Sequence, residues 1–208
     1  MKLADTNISE YLDILKSDKP APGGGSASCL AGAQGAALLV MVCNLTLGRA
    51  KYAEFQEACG NVQEKAQELL KTFITAIDED TEAFNMVSKA YKMPKETDQQ
   101  KKDRSVAIQE GMLRATKIPF FVMKTTREGL AAAAAVVGKT NTAAMSDLGV
   151  AVLSFQSCCR GAWLNVKINL PGMKNEEKAS FYRNEGQKLY EDVERIADEL
   201  YEGILKSI

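Results

Sequence analysis

The sequence predicts an all-α protein, built as a single-domain bundle of several helices around a central helix of small residues. Apolar residues recur at helical spacing throughout the chain, and no stretch shows the sustained apolar–polar alternation of a half-buried strand. Hydrophobic residues make up 46% of the 208 residues, which is enough to bury one core. Because no linker, repeat or shift in composition divides the chain, we expect one domain over residues 1–208.

Capping residues and helix breakers set the expected helix boundaries. Asn7, with Glu10 three residues later, predicts an N-cap for the first helix. Gly48 predicts the end of the second helix, and Pro119 predicts the start of a fifth helix or a kink in it. We expect helices over residues 8–17, 27–47, 53–91, 97–116, 119–136, 143–170 and 175–206.

Two of these helices are amphipathic, and their apolar stripes predict which side chains face the core. On the third helix the stripe consists of Phe55, Val62, Ala66, Leu69, Phe73, Ile77, Phe84 and Val87. On the last helix it consists of Phe181, Leu189, Val193, Ile196, Leu200 and Ile204. The second helix has no such stripe, because it is apolar on nearly every side and rich in alanine and glycine. Small side chains let neighbouring backbones approach closely, so we expect this helix at the centre of the bundle.

The segment Pro20–Ser26 leads into this central helix with the sequence Pro-Ala-Pro-Gly-Gly-Gly-Ser. Glycine permits close backbone approach, and the N–H groups at a helix start can bind an anion or a polarised carbonyl. A tight turn with Ser26 as the helix N-cap explains the same residues without any ligand. The local sequence favours the turn, and only the rest of the chain can favour a binding site.

Composition excludes several classes of function. The net charge of -1, from 26 basic and 27 acidic residues, disfavours nucleic acid and anionic membranes as partners. The chain has no histidine, which excludes Ser-His-Asp and Cys-His catalysis and nearly all zinc catalysis. Any proton transfer must therefore come from Asp, Glu, Lys, Tyr or Cys. We expect neither a metal nor a cofactor.

Cysteine usage and hydropathy indicate a cytoplasmic protein. The five cysteines are odd in number and contain no Cys-X-X-Cys pair, so we expect reduced, buried thiols. Residues 1–18 lack the apolar region of a signal peptide. The apolar run Ala27–Val42 is interrupted by Gln34 and lacks a flanking basic cluster, which favours a buried helix over a membrane span.

Two aspartates stand out as candidates for chemistry. Asp80 belongs to an acidic run in the third helix, where aspartate is a poor helix former. Asp147 begins a small and polar stripe that reaches Asn165, 18 residues and roughly 27 Å further along a straight helix. A solvated face explains Glu79 and Glu82, and a structural hydrogen-bond network explains the stripe equally well.

Five segments, taken in order, resemble the cyclodeaminase/cyclohydrolase family. That family includes the C-terminal domain of formimidoyltransferase-cyclodeaminase and stand-alone bacterial methenyltetrahydrofolate cyclohydrolases. The segments are Pro20–Ser26, Asn44–Gly48 with Lys51 and Tyr52, Asp78–Phe84, Asn141 with Ser146–Ala151, and Gly161–Leu170. The resemblance spans nearly the whole chain.

The resemblance implies a helical homodimer that acts on one-carbon derivatives of tetrahydrofolate. The cyclohydrolase opens the methenyl bridge with water to give formyltetrahydrofolate. The cyclodeaminase closes formiminotetrahydrofolate to methenyltetrahydrofolate and releases ammonia. On this basis we expect Asp80 and Asp147 to be catalytic. The expected substrate-binding residues are Pro22, Gly23, Gly24, Gly25, Ser26, Lys51, Asn141, Asn165 and Lys167.

Other functions remain compatible with the sequence. A non-catalytic helical module could keep a folate pocket for binding or assembly. A helical scaffold could use its small-residue helix for self-association alone. Between cyclohydrolase and cyclodeaminase the residues themselves do not decide.

Overall fold

A computed structural model describes residues 2–208, which form six α-helices joined by turns and short 3-10 helices, with no strand among them. The helices are α1 (Ile8–Leu15), α2 (Gly24–Asn44), α3 (Gln56–Tyr91), α4 (Asp98–Val136), α5 (Met145–Asn169) and α6 (Glu176–Leu205). Short 3-10 helices cover Leu3–Asp5, Ala50–Phe55, Thr142–Ala144 and Leu170–Gly172. The all-α prediction is confirmed.

Helix α2 lies at the centre of the bundle, packed against both α3 and α5, as its small residues predicted. A β-carbon at Gly32 would lie 2.5 Å from the ring of Phe73 on α3. At Gly35 it would lie 3.0 Å from the ring of Phe155 on α5. Glycine therefore lets two aromatic rings press directly onto the α2 backbone, and this burial offsets the low helix propensity of glycine.

Helices α2 and α5 run antiparallel along their whole length. Positions in α2 that rise from Gly24 to Gly32 lie beside positions in α5 that fall from Asn165 to Cys158. The start of α2 therefore lies beside the end of α5. This arrangement decides which of the expected site residues can meet.

Two glycine substitutions should distinguish the effect of close packing on stability from the effect of helix propensity. Gly32→Ala should destabilise the fold by about 1–3 kcal/mol, because the added methyl overlaps the Phe73 ring. Gly60→Ala, on an open part of α3, should stabilise it by up to about 1 kcal/mol. Denaturant unfolding measures both. Equal changes for the two variants would contradict the packing described for α2.

The predicted helix break at Pro119 is wrong, because α4 continues through this residue. Proline has no N–H to donate to the carbonyl four residues earlier, which is that of Ala115. That carbonyl instead accepts a hydrogen bond from the side-chain amide of Asn169, at 2.9 Å. A side chain of α5 thus satisfies the acceptor that proline leaves, and the helix persists.

The two predicted N-caps have different outcomes. Asn7 caps α1 as expected, since its side chain accepts from the Glu10 N–H at 2.8 Å. Ser26 is not an N-cap, because α2 begins at Gly24 with Gly23 as its cap residue. Two glycines thus form the start of the helix, where packing against α3 outweighs their low propensity. The helix also ends before Gly48, whose φ of 75° lies in the following turn.

Two aromatic residues predicted to face the core are instead exposed. Phe84 on α3 is 39% exposed and Phe181 on α6 is 52% exposed. Phe181 contacts the edges of Phe120 and Tyr182 at the bundle surface. Helical spacing identified the correct side of each helix, but the neighbouring helices do not cover these positions.

All five cysteines are buried thiols, as expected from their apolar surroundings. Burial raises the pKa of Cys43 and of Cys158 to about 12. Thiols with such pKa values are protonated and unreactive at neutral pH. The cysteines therefore serve the core as small apolar side chains.

Within residues 2–208, α2 is the one helix with the length and hydropathy needed to cross a membrane. Half of its most apolar window is buried inside the bundle. Ala36, Leu39 and Val42 are completely buried there. The core helix expected from residues 27–42 is therefore present.

Candidate active site

A cleft of about 340 Å³ opens where the start of α2 meets α3, α4 and α5. Its lining residues are Pro20, Ala21, Gly23, Gly24, Gly25, Asp80, Phe84, Val87, Met112, Ala115, Asn165, Ile168 and Asn169. Asp80 is the one ionisable side chain among these described lining residues. Within one chain, Asp80 is therefore the side chain of the cleft that can transfer a proton.

Asp80 lies directly against the first turn of α2. A β-carbon at Gly25 would lie 2.1 Å from the Asp80 Oδ1 atom, so only glycine permits this approach. The first N–H groups of a helix have no partner within the helix, and they carry the positive end of its dipole. The glycine turn therefore packs against the Asp80 carboxylate of the same chain. The sequence had suggested a ligand at this turn and did not reveal the contact with Asp80.

Ser26 contacts Asp80 from the buried side of the cleft. This residue is completely buried, and its hydroxyl donates to the Ile77 carbonyl at 2.9 Å. The same Oγ lies 3.3 Å from Asp80 Oδ2 and 3.0 Å from Thr81 Oγ1. Ser26 thus joins the start of α2 to the turn of α3 that carries Asp80.

Burial raises the pKa of the Asp80 carboxyl above its ordinary value. The backbone N–H of Ser26 opposes that rise, as does its hydroxyl when its one hydrogen turns from the Ile77 carbonyl to Asp80 Oδ2, because both donors stabilise the charged form. A carboxylate with a raised pKa is a stronger base than an exposed one. Such a group suits the role of a general base.

Several predicted binding residues do meet at this cleft. Gly23, Gly24 and Gly25 form one wall, and Asn165 lies opposite Gly24. The Asn165 amide also donates to the Gly161 carbonyl at 2.8 Å, which holds the side chain against α5. Pro22 and Ser26 are buried outside the lining residues, so they support this wall from behind.

Asp147 lies far from the cleft within the same chain. It belongs to the first turn of α5, which the antiparallel packing places beside the last turns of α2. About 16 residues of α2 separate this level from Gly25, which corresponds to about 25 Å. Asp80 and Asp147 of one chain cannot act on the same carbon atom.

Asn141 and Lys51 also lie at the far end of α2. The Asn141 Oδ1 accepts from the Ala143 N–H and from the Tyr52 hydroxyl, at 3.1 and 3.2 Å. Its amide donates to the Leu45 carbonyl at 3.2 Å. Asn141 therefore ties three segments together, while Lys51 is exposed with its Nζ 5.3 Å from the centre of the Tyr52 ring.

Lys167 points away from the cleft. Its Nζ lies 5.6 Å from the centre of the Trp163 ring, in a wide groove of about 620 Å³ between α5 and α6. Arg160 and Tyr190 line the same groove. Within one chain, Lys167 therefore does not line the cleft at which it was expected to bind substrate.

The sequence reasoning missed most of the apolar wall of the cleft. Phe84 and Val87 of α3 face Met112 of α4 and Ile168 of α5 across it. The partial exposure of Phe84 reflects this open position. Their helical spacing is the same as that of core residues, so no sequence signal distinguishes them.

The sequence is similar to known proteins over most of its length. The profile of the family described as formiminotransferase-cyclodeaminase matches residues 7–188. A methenyltetrahydrofolate cyclohydrolase from Methylorubrum extorquens is 39% identical over 201 residues, which cover 97% of either chain. The formimidoyltransferase-cyclodeaminase of Mus musculus is 29% identical over 174 residues, or 84% of this chain. The match spans only 32% of that longer protein.

The fold also has a counterpart among solved structures. The crystal structure of formiminotetrahydrofolate cyclodeaminase from Thermotoga maritima superimposes with a TM-score of 0.82 at 23% identity. The superposition covers 99% of this chain and 97% of that one. It confirms the bundle described above. Because the family profile matches most of its length and the bacterial relative aligns nearly end to end, the chain belongs to the formiminotransferase-cyclodeaminase family.

Proposed function

We propose that this chain is a folate enzyme that opens the bridge of methenyltetrahydrofolate with water, giving formyltetrahydrofolate. The 39% identical relative, matched over nearly its whole length, carries the name of that activity. The proposal rests on the Asp80 carboxyl group, which is half-buried beside the first turn of α2. The other residues that line this cleft are uncharged. Asp80 is the proposed general base.

The proposed reaction needs one proton acceptor and no covalent bond to the protein. The methenyl carbon lies between two nitrogens and shares their positive charge, which a nearby carboxylate stabilises. Asp80 takes a proton from water while the water oxygen bonds to this carbon. One C–N bond then breaks, its nitrogen gains a proton, and the carbinol O–H loses its proton to form the formyl group. One water is consumed and one proton is released.

The same residues would serve cyclodeamination. There the nitrogen that does not carry the formimino group attacks the carbon of the protonated formimino group, and ammonia leaves the resulting tetrahedral carbon. Asp80 would take the proton from the attacking nitrogen and give it to the leaving nitrogen. The folate derivative is the substrate in both reactions, and the chain's own side chains transfer the protons.

The walls of the cleft suit a flat, partly polar molecule. Phe84 and Met112 offer apolar contact surfaces of the kind that stack on aromatic rings. On the other side, the amides of Asn165 and Asn169 can form hydrogen bonds with ring substituents. We propose that these residues bind the pterin end of the substrate.

A comparison of products tests which reaction this chain performs. Purified protein is given methenyltetrahydrofolate or formiminotetrahydrofolate, and formyl product and ammonia are measured. We expect formyl product to form faster than ammonia. Faster ammonia release would reassign the chain to cyclodeamination, and folate binding without turnover would support the non-catalytic module.

We also propose that the chain forms a homodimer through one face of α2 and α5. Outward-facing side chains at helical spacing form this face, and on α5 they are about half exposed or more. Its members are Ala27, Ala31, Leu38 and Met41 on α2, and Val150, Leu153, Leu164 and Ile168 on α5. Exposed apolar side chains grouped on one face, here interrupted on α5 by Ser157 and Arg160, are typical of an interface between subunits.

A two-fold axis across this face explains why the expected site residues divide between the two ends of α2. We propose an axis perpendicular to α2, which places the start of α2 in one chain opposite the end of α2 in its partner. Lys51, Asn141 and Asp147 of the second copy would then approach the cleft that holds Asp80. Ile168 links the two regions, since it belongs to the apolar face and also lines the cleft.

Leu164→Glu should separate the subunits. Leu164 is 68% exposed at the proposed face, so a charge there adds repulsion across the axis without disturbing the core. Light scattering should show a dimer for the wild type and a monomer of low activity for the variant. Leu205→Glu, on the exposed end of α6, is the control and should remain dimeric. An unchanged mass for Leu164→Glu would contradict the proposed interface.

A further inference from the structure

The hydroxyl of Thr81 departs from the pattern of the other threonines in the long helices. Thr81 follows Asp80 on α3, and its Oγ1 lies 3.0 Å from Ser26 Oγ on α2. A threonine within a helix commonly donates to the carbonyl four residues earlier. The five other threonines of α3 and α4 all form this bond, and they are Thr72, Thr75, Thr116, Thr125 and Thr126. The Thr81 hydroxyl instead reaches across to the neighbouring helix.

Ser26 connects the Thr81 hydroxyl to the proposed base. Its Oγ lies within hydrogen-bond distance of the Ile77 carbonyl at 2.9 Å, Thr81 Oγ1 at 3.0 Å and Asp80 Oδ2 at 3.3 Å. A serine hydroxyl carries one hydrogen and two lone pairs, so it donates to one of these atoms at a time. Because Ser26 is completely buried, bulk water does not compete for that hydrogen.

We propose that Thr81 and Ser26 form a chain of two hydroxyls that positions Asp80 for proton transfer. Thr81 donates to Ser26 Oγ, and the Ser26 hydrogen turns from the Ile77 carbonyl to Asp80 Oδ2 when the carboxyl is charged. Each hydroxyl keeps its own proton, and the rearrangement is a rotation about the C–O bond of Ser26. This inference rests on the proposed function only in assigning the base role to Asp80.

The turn of the Ser26 hydrogen costs little at the Ile77 carbonyl. That carbonyl lies within α3 and also accepts from the backbone N–H four residues later, so it keeps a partner. The gain at Asp80 is larger, because a hydrogen bond to a charged group is roughly twice as strong as one between neutral groups. Thr81 adds to this gain, since a hydroxyl that accepts a hydrogen bond becomes a stronger donor.

The other groups around Asp80 are neutral or acidic. Burial, with smaller contributions from neighbouring charges that include Asp80, raises the pKa values of Tyr11 on α1 and Cys29 on α2, so both are protonated. The acidic neighbours on α3 are Asp78, Glu79 and Glu82. Arg114 on α4 pairs with Glu82 and does not line the cleft. The lining residues of α4 and α5 are uncharged, and they are Met112, Ala115, Asn165, Ile168 and Asn169. Among the described lining residues no cation offsets the charge of Asp80, so each donor to it has a large effect.

The pH dependence of turnover tests the proposed chain. Asp80 acts as a carboxylate, so turnover rises with pH as this group loses its proton. Ser26→Ala removes the hydroxyl that donates to the carboxylate, which should move the acid limb of the profile to higher pH by about one unit. The rate on that limb should fall about tenfold. At high pH the variant should approach the wild-type rate.

Variants of Thr81 test whether this residue acts through Ser26. Thr81→Val keeps the shape of the side chain and removes the hydroxyl, so the acid limb should move in the same direction by about half a unit. Thr81→Ser keeps the hydroxyl and should keep the wild-type profile. Ser26→Ala combined with Thr81→Val should shift the limb no further than Ser26→Ala alone. A double variant whose shift is the sum of the two single shifts would overturn the chain.

Two nearby hydroxyl residues supply matched controls. Ser28 lies two positions further along α2 and is also buried, but its hydroxyl donates to the Gly24 carbonyl at 2.6 Å. Thr75 on α3 donates to the Lys71 carbonyl at 3.0 Å. Ser28→Ala and Thr75→Val should therefore keep the acid limb of the wild type. If Ser26→Ala also kept it, or lost rate equally at every pH, the positioning role would be refuted.

A direct titration makes the test independent of turnover. Carbon-13 NMR follows the Asp80 carboxyl carbon, whose signal is identified by its loss in Asp80→Asn. The midpoint of its titration should lie at higher pH in Ser26→Ala and in Thr81→Val than in the wild type. Equal midpoints in all three proteins would also overturn the proposal. If Asp80→Asn instead turns over normally, the proposed function of Asp80 fails, while the carboxyl titration still reports whether the two hydroxyls stabilise its charge.

Discussion

Replacing Asp80 with asparagine should abolish turnover while substrate binding persists. Asparagine keeps the shape of the side chain and can still accept hydrogen bonds from Ser26, but it cannot accept a proton at neutral pH. Loss of a general base lowers rates by about 10²–10⁴-fold. Steady-state kinetics should therefore show a collapse of kcat, and calorimetry should show folate binding close to that of the wild type.

The same variant should be more stable than the wild type at neutral pH. Burial raises the pKa of Asp80 in the folded state, so the charged carboxyl destabilises the fold. That cost is absent below the pKa of the unfolded chain and develops as pH rises through the folded pKa. The gain from Asp80→Asn should therefore appear at neutral pH and vanish in acid, as urea unfolding at two pH values would show.

Glu79→Gln provides the control for both effects. Glu79 precedes Asp80 on α3 and is also half-buried, but it does not line the cleft. Its removal should leave kcat within a few-fold of the wild type. If Glu79→Gln lost as much activity as Asp80→Asn, the assignment of the base to Asp80 would be contradicted.

Gly25→Ala should have the next largest effect. The new methyl would lie 2.1 Å from Asp80 Oδ1 and 2.4 Å from its Cγ, so either the carboxyl or the first turn of α2 must move. Overpacking of this kind costs about 1–3 kcal/mol of stability. Displacement of the base by about 1 Å also lowers activity by about 10²-fold. Thermal unfolding and kcat together measure the result.

The neighbouring glycine supplies a control for this prediction. A β-carbon at Gly24 would lie 3.7 Å from the Asn165 amide nitrogen, which is an ordinary contact. Gly24→Ala should therefore fold normally and keep most of its activity, although it occupies the same turn. Similar losses in both variants would show that the turn needs glycine for flexibility rather than for the approach of Asp80.

Much of the bundle follows from local sequence signals. Asn7 predicted its cap correctly, and the small residues of α2 identified the central helix. The prediction at Pro119 was wrong because the Asn169 side chain, from another helix, donates to the carbonyl that proline leaves without a partner. Sequence reasoning sees a missing donor but not the distant group that replaces it.

The same reasoning predicted only part of the candidate site. The glycine turn, Asp80 and Asn165 were predicted together, and the structure brings them to one cleft. Ser26 was expected to cap a helix, but its hydroxyl reaches α3 instead. Phe84 was assigned to the core because helical spacing does not show where a neighbouring helix ends. Such features depend on tertiary packing.

The long distance between Asp80 and Asp147 follows from the antiparallel packing of α2 and α5. Both carboxylates were expected to be catalytic from the resemblance, yet they lie at opposite ends of α2 in one chain. Order along the sequence carries no information about this distance. In the proposed homodimer, a second copy of the chain would bring the two ends together.

Catalysed loss of methenyltetrahydrofolate absorbance is the most direct test of the central claim. The wild-type protein and Asp80→Asn are compared across pH, with the uncatalysed rate subtracted. We predict a wild-type rate that rises with pH through a pKa above the ordinary carboxyl range, and no catalysed rate for the variant. No acceleration by the wild type at any pH, or equal acceleration by both proteins, would contradict the account.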